Sequence, residues 1–575
     1  MAVDRTFMVA GEAGQGVQTL GYTLARALTR GGYHVLANQD YESRIRGGHS
    51  AYQVRTRDEP VYAVDEDIHI LISLDRASID IRRGQMAPDG LVLFDSERVK
   101  LEESGPQSIG VPFERMAAEQ AGDRLVSNIV ACGVALGLVQ YDFSALQHAL
   151  QRSFTGKGTD VVERNITAAR AGYDYALSEL KGACSFQLPA SVGRPRLLMN
   201  GNDAVVLGAL AAGVKFMTSY PMTPSTEIME QLATRAREFG LVVLQAEDEI
   251  GAMNMTVGAG FAGVRAMVAT SGGGFSLMVE AMGLAGMTET PLVAVEGQRP
   301  GPATGLPTRT EQGDLEFVLH CAQGEFPRIM LSPGNIEQDF YLTVHAFNLA
   351  ERYQAPVIIM HDEYMADSVR DFEPFDFGCV TVDRGFMWSA GQSDGPYKRH
   401  LLTDSGISPR AYPGTPGITV CTTGDEHTEE GHITEDMHVR TEMVRKRLRK
   451  LDDAANHVVP PETYGPEGAP VLLIGWGSLH GAMHEAVDLL AAEGLQARMM
   501  QLPQVWPFPK EQVATAAEAA SHVIAVEQNA TGQLAHLMRA ETGLAATGRI
   551  NRFDGRPMSG KYVARGVKRE VGERW

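Results

Sequence analysis

The chain has 575 residues, too many for one hydrophobic core, and this length implies about three or four domains. A formal net charge of −20 weighs against nucleic acid or an anionic membrane surface as the main partner, and no apolar run approaches the roughly 18 residues of a membrane-spanning helix. Hydrophobic residues at 44% and charged residues at 21% are ordinary globular usage, while Cys132, Cys184, Cys321, Cys379 and Cys421 are scattered, so no disulfide framework and no zinc or iron–sulfur motif is written within the chain.

The opening stretch "MAVDRTFMVAGEAGQG" lacks a basic segment followed by an apolar one, so a cytoplasmic location is expected. "RTFMVA", "HVLANQD", "IHILISLD" and "GLVLFDS" read as strands. They alternate with helical stretches such as "TLGYTLARALTRGG", where Leu20, Leu24 and Leu28 share a face. This alternation predicts a parallel α/β unit over residues 1–185. Its first turn, "GEAGQGVQT", sets glycines and free N–H groups at a helix start, a natural phosphate cradle, although such a turn also serves close strand–helix packing.

A Pro-bounded stretch, "ACSFQLPASVGRPRLLMNGNDA", marks a linker, and a second α/β unit is expected over residues 186–370. In "SYPMTPSTEIMEQLA", Pro221 and Pro224 hold a rigid hook around Thr223 at a strand's C-terminal end, the edge where open α/β sheets bind ligands. Ser225 or Thr226 is placed to cap the following helix, and Glu227 suits its first turn; a capped helix after a Pro-rich turn is the plainer alternative. "QAEDEIGAMNMTVGAGFAG" sets three acids at the mouth of a Gly/Ala/Met helix. Glu249 is the one that meets the small apolar face, where a carboxyl loses solvation and can share a proton with a ring nitrogen. "TSGGGFSLM" is a further glycine turn, and "EGQRPGPATGLPTRTEQGDL" offers Arg299 and Arg309 as carboxylate or phosphate clamps or as plain solvent-facing arginines.

Residues 371–465 lose periodicity and read as a connector, ending in the charged helix "HVRTEMVRKRLRKLDDAA". Residues 466–575 open with "APVLLIGWGSLHGAMHEAVDLLAAEG", a strand, a glycine turn and an amphipathic helix of a small third α/β unit.

Together, "SYPMTPSTEIMEQLA", "EDEIGA", "TSGGGFSLM" and "QRPGPATGLPTRTEQGDL" resemble the α subunit of the 2-oxoacid:ferredoxin oxidoreductases, particularly the 2-oxoglutarate type. "GEAGQGVQTLG", "YESRIRGGHS" and "FTGKGTDVVERNITAARAGY" resemble that family's γ subunit, here fused ahead of α. "YKRHLLTDSGISPRAYPG" and "GDEHTEEGH" fit the α connector. The resemblance implies three α/β units: a γ-like domain, a thiamine pyrimidine-binding domain and a transketolase C-terminal-like domain. It also implies reversible conversion of a 2-oxoacid, coenzyme A and oxidised ferredoxin into an acyl-CoA, carbon dioxide and reduced ferredoxin, in either the decarboxylating or the CO2-fixing direction of a reductive TCA cycle. One position departs from the family, Gly273 standing where a proline is common, so a looser turn is expected.

By motif, the resemblance places Glu249 at the aminopyrimidine of thiamine diphosphate and Thr223 beside cofactor and substrate. Tyr220, Pro221, Gly272 and Gly273 then line the cofactor. Arg299, or else Arg309, holds the substrate carboxylate, with the second anchor of a diacid unassigned. Gly14, Gln15, Gly16, Arg44, Arg46 and Ser478 are the expected coenzyme A contacts, against the alternative that these turns only pack. No G-D-G occurs in the chain, so no metal ligand is assigned to it. The diphosphate, its Mg2+ and a [4Fe–4S] cluster are then expected on a β subunit, in an αβ or (αβ)2 assembly that works with ferredoxin. Pyruvate, branched-chain or aryl 2-oxoacids are the alternative substrates, and a non-catalytic CoA-binding regulatory chain is the alternative of another class.

Overall fold

The computed structural model describes residues 3–44, 47–101, 108–390 and 395–572, and the chain divides into two compact units. The first comprises Met1–Met199, Asp367–Pro374 and Ser559–Lys561; the second comprises Asn200–Ala366, Phe375–Met558 and Tyr562–Trp575.

In the first unit the strand Asp4–Glu12 runs parallel to Ile68–Ser73 and antiparallel to His49–Arg57. The sheet is therefore mixed, where strand–helix alternation predicts a parallel one. The reason is local: residues 42–48, between the strands His34–Tyr41 and His49–Arg57, are too few for a crossover helix, and so short a link forces antiparallel pairing. Leu20, Leu24 and Leu28 of the helix Val17–Arg30 are fully buried against this sheet, as their spacing predicts. The helices Ser127–Leu138 and Thr159–Glu179 touch backbone to backbone, since a β-carbon on Gly133 would fall 2.0 Å from the Ala169 carbonyl oxygen. Two later segments complete the sheet: Val369–Phe372 pairs antiparallel with both His34–Tyr41 and Leu197–Met199. The expected boundaries at 185 and 370 thus fall short of one strand and inside another.

The second unit contains a seven-stranded sheet whose strands Phe216–Ser219, Ala266–Thr270, Leu292–Gln298 and Pro356–Asp362 are all parallel. Their C-terminal ends share one edge, with Thr270 beside Glu296 and Gln298 beside Asp362. Glycines let its helices close on their neighbours: a β-carbon on Gly208 would lie 2.5 Å from the Phe340 carbonyl, and one on Gly260 would lie 2.4 Å from that of Pro291.

A five-stranded sheet built on Val471–Trp476, Ala497–Leu502, His522–Glu527 and Gly548–Asn551, with Glu462–Tyr464 at one edge, belongs to the same unit. Its residues Leu472, Trp476 and Leu502 join Ala294 and Met330 in one apolar core, and Gln504–Trp506 forms the outer strand of the larger sheet, antiparallel to Ile329–Leu331. No helix of the described residues is long and apolar enough to cross a membrane.

Candidate active site

The strand Phe216–Ser219 ends in the Pro-bounded hook, and three contacts hold that hook in place. Asn202 Nδ2 donates to the Pro224 carbonyl at 3.0 Å, Arg299 Nη1 donates to the Thr223 carbonyl at 2.8 Å, and Ser225 Oγ donates to the Thr270 carbonyl at 2.6 Å. Ser225 occupies the N-cap position of the helix Thr226–Phe239, but its hydroxyl does not cap it. That hydroxyl instead ties the hook to the neighbouring strand, a correction to its expected role. Gly297 makes this approach possible, because a β-carbon there would fall 2.4 Å from Ser225 Oγ and 2.9 Å from Pro224 Cγ. Glu227 accepts from Asn200 Nδ2 at 2.8 Å, so the first-turn acid also braces the preceding helix start. Thr223 is left half-buried, and its hydroxyl makes no hydrogen bond among the described residues.

Glu249 opens the helix Glu249–Phe261, which Asp248 caps by accepting from Gly251 N–H at 2.6 Å. Glu247 is exposed, whereas Glu249 is 4% exposed with Oε1 buried and unpartnered among the described residues. An isolated buried carboxylate oxygen is costly unless something satisfies it. Its place is cut out by Gly274 in the helix Gly272–Met287: a β-carbon at Gly274 would stand 2.6 Å from Glu249 Oε1 and 2.1 Å from Thr270 Oγ1. The same helix begins with Gly272, where a β-carbon would stand 2.5 Å from Asp314 Oδ2. Gly273 is exposed, and a β-carbon there would come no nearer than 3.7 Å to the Ala303 carbonyl oxygen.

Arg299 is half-buried and its bond to Thr223 brings these two predicted residues together. Tyr220 is 39% exposed at the mouth of the same hook. Arg309 is set apart, its side-chain carbons packing over Gly555. Ser478 is buried and donates to Asp362 Oδ2, so its hydroxyl is already committed. In the first unit, Gly14 (φ 99°) faces open space, while Gln15 turns its Oε1 back to accept from Glu12 N–H at 2.9 Å, and Gly16 (φ 78°) clears Asn128. Arg44 is exposed and pairs with Glu42 at 3.2 Å, and Arg46 lies outside the described residues.

A group of acids at the sheet edge escapes sequence reasoning. Glu296 is fully buried, and burial, reinforced by Asp314 and Asp362, holds its carboxyl protonated well above the usual range. Asp314 is itself raised, by burial. Glu311 is pushed up to about 7, by burial first and Asp314 second. The available signal is an acid inside the apolar strand "PLVAVEGQ", which only a buried partner makes tolerable.

Glu289, His400 and His427 approach one another closely enough to hold a cation. The place is filled differently: the connector helix Met437–Asn456 carries Lys446 and Lys450 onto the Glu289 carboxylate, and all three side chains are fully buried. Two ammonium groups at one carboxylate repel a metal ion, and the group is a structural clamp.

Comparison with known proteins gives three matched family models. Residues 6–175 match the pyruvate ferredoxin/flavodoxin oxidoreductase model. Residues 207–446 match the thiamine-diphosphate-binding model of pyruvate flavodoxin/ferredoxin oxidoreductases, and residues 469–563 match core domain II of pyruvate:ferredoxin oxidoreductase. A 2-oxoacid:ferredoxin oxidoreductase subunit alpha of a Sulfolobus species is 34% identical, covering 96% of this chain and 94% of the relative. The 2-oxoglutarate oxidoreductase subunit KorA of Mycobacterium tuberculosis is 28% identical, covering 92% and 86%. Among solved structures, the 2-oxoglutarate:ferredoxin oxidoreductase from Magnetococcus marinus, with 2-oxoglutarate, coenzyme A and succinyl-CoA bound, superposes with a TM-score of 0.93 at 34% identity, covering 99% of this chain and 100% of that one.

Proposed function

The chain belongs to the 2-oxoacid:ferredoxin oxidoreductases as an α subunit, and on that premise we propose that its 2-oxoacid is 2-oxoglutarate. The products are then succinyl-CoA, carbon dioxide and reduced ferredoxin. The substrate assignment is supported by the Magnetococcus enzyme and by the KorA relative.

The observation that carries the site reading is the buried, unpartnered Glu249 Oε1 at the common edge of the parallel strands. It fits a thiamine aminopyrimidine: a ring nitrogen offered to that oxygen satisfies it and shares its proton. Bound thiamine diphosphate supplies the nucleophilic carbon and the electron sink for decarboxylation. This chain's residues do the rest. Gly274 leaves room for the Glu249 carboxylate, the free Thr223 hydroxyl is offered to substrate, and Arg299, anchored on the Thr223 carbonyl, pairs its remaining donors with the oxoacid carboxylate. Coenzyme A phosphates are assigned to the open backbone at Gly14 and to the exposed Arg44.

A β subunit completes the site in this reading, bringing the diphosphate and Mg2+ site and a [4Fe–4S] cluster, in an (αβ)2 assembly. Exposed apolar side chains on the unit that carries Glu249 support a covering partner. The strand Val242–Gln245 forms the sheet edge with Val242 57% and Leu244 43% exposed, and Ile250 and Leu277 are each 50% exposed.

The test is anaerobic, CoA-dependent reduction of a viologen dye by the chain purified with and without a co-expressed β subunit, across 2-oxoglutarate, pyruvate and branched-chain acids. Activity only in the complex, highest with 2-oxoglutarate, is expected. Preference for another acid replaces the substrate, and no turnover with any acid in a cluster-loaded complex overturns the catalytic reading.

A further inference from the structure

The helix Val17–Arg30 separates two places in the first unit. At its N-terminal end lies the glycine turn assigned to coenzyme A. Along its C-terminal part, from Tyr22 to Arg30, lies a cavity of about 550 Å³. The cavity is walled by Tyr22, Pro195, Leu197 and Leu198 and rimmed by arginines from two helices and a strand-entry segment: Arg26, Arg30, Arg152 and Arg196, with His148 beside them. Its size is that of a small-molecule site.

The charge balance distinguishes these arginines. Arg196 is neutralised, donating through Nε to Asp371 at 2.5 Å and through Nη2 to Glu373 at 3.0 Å. Arg26 lies over the Tyr22 ring at 4.5 Å and donates to its hydroxyl at 3.3 Å, a contact that orients the guanidinium without cancelling its charge. Arg30, Arg152 and Arg26 have no acidic partner among the described residues. In a chain of net charge −20, three guanidinium groups without an acidic partner among the described residues concentrate positive potential around one concavity.

We propose that this cavity binds a nucleoside polyphosphate as a second ligand, separate from the coenzyme A site. The three guanidinium groups match two or three phosphate charges through paired N–H donors, and the Tyr22, Pro195, Leu197 and Leu198 walls take the apolar faces of sugar and base. A concave site with apolar walls suits a small molecule better than the acidic surface of a protein, which needs a broad, flat patch.

The test is calorimetric titration of the full chain with ATP, tripolyphosphate and coenzyme A at 50 mM and 500 mM salt. ATP and tripolyphosphate are expected to bind, with affinity falling at high salt. The Arg30→Ala/Arg152→Ala double variant is expected to weaken ATP at least tenfold, with the Lys/Lys double variant intermediate and Arg44→Ala unchanged. Coenzyme A is expected not to displace ATP. Absence of binding, wild-type affinity in the alanine double variant, loss of ATP through Arg44→Ala, or displacement by coenzyme A would each overturn the proposal. Unchanged circular dichroism and melting of the variants guards against misreading a folding defect.

Discussion

Gly274 leaves open the space that the Glu249 carboxylate occupies, for a β-carbon at that position would stand 2.6 Å from Glu249 Oε1. A helix glycine and an acid 25 positions earlier therefore form one device, and the first prediction uses both. In the α–β complex, Glu249→Gln is expected to lower kcat by at least about a hundredfold, the scale of a lost proton-transfer group, without changing the melting profile. Gly274→Ala is expected to lower kcat in the same sense with Glu249 chemically intact, because the acid must move. Full turnover in both variants removes the pair from the mechanism.

Arg299→Met tests the clamp. Loss of a charge-assisted contact to a carboxylate costs about 1.5–3 kcal/mol, which is roughly a 10- to 100-fold rise in the KM for the oxoacid. The KM for coenzyme A is expected to stay within about twofold. Parallel rises in both constants would show that Arg299 acts only by supporting the Thr223 hook.

The buried clamp at Glu289 concerns stability. Glu289→Gln leaves Lys446 and Lys450 in the interior without a counter-charge, and breaking a buried pair in this way costs about 3–5 kcal/mol. Denaturant unfolding is the measurement, and a loss below about 1 kcal/mol would show that the lysines find solvent or another acid.

Glu311 has a pH signature. Its pKa in the folded chain is raised from the ordinary 4.5 of a glutamate to about 7, so the folded chain holds this proton more tightly than the unfolded chain does. The resulting stability is fully present below about pH 4.5 and is lost as pH rises through 7. Compared with wild type, Glu311→Gln is therefore expected to look relatively more stable at pH 8 than at pH 5 in urea titrations. An equal gap at the two pH values would place Glu311 in an ordinary solvated setting.

The catalytic edge is readable in the amino-acid order because each contributor sits at a strand's end beside glycine or proline: Thr223 between two prolines, Glu249 before a small-residue helix, Arg299 after an apolar strand. What remains hidden depends on partners distant in sequence. Lys446 and Lys450 look like the wet face of a charged helix, and nothing nearby announces that Glu289 will draw them inside. Arg30 and Arg152 likewise read as ordinary surface charges until two helices set them around one cavity. Ser225 is misread for a similar reason: its position is that of a cap, but the Thr270 carbonyl that claims its hydroxyl comes 45 residues later.

The strand Val369–Phe372 sits between His34–Tyr41 and Leu197–Met199, hydrogen-bonded to both. A gene cut at residue 199 would thus encode a fragment with an unzipped ladder, its N–H and C=O groups bared along His34–Tyr41 and ready to recruit another chain. Anyone wishing to produce the γ-like portion alone should graft residues 367–374 onto it through a flexible tether, or supply them as a separate peptide. Without that eight-residue splint, inclusion bodies are the expected harvest.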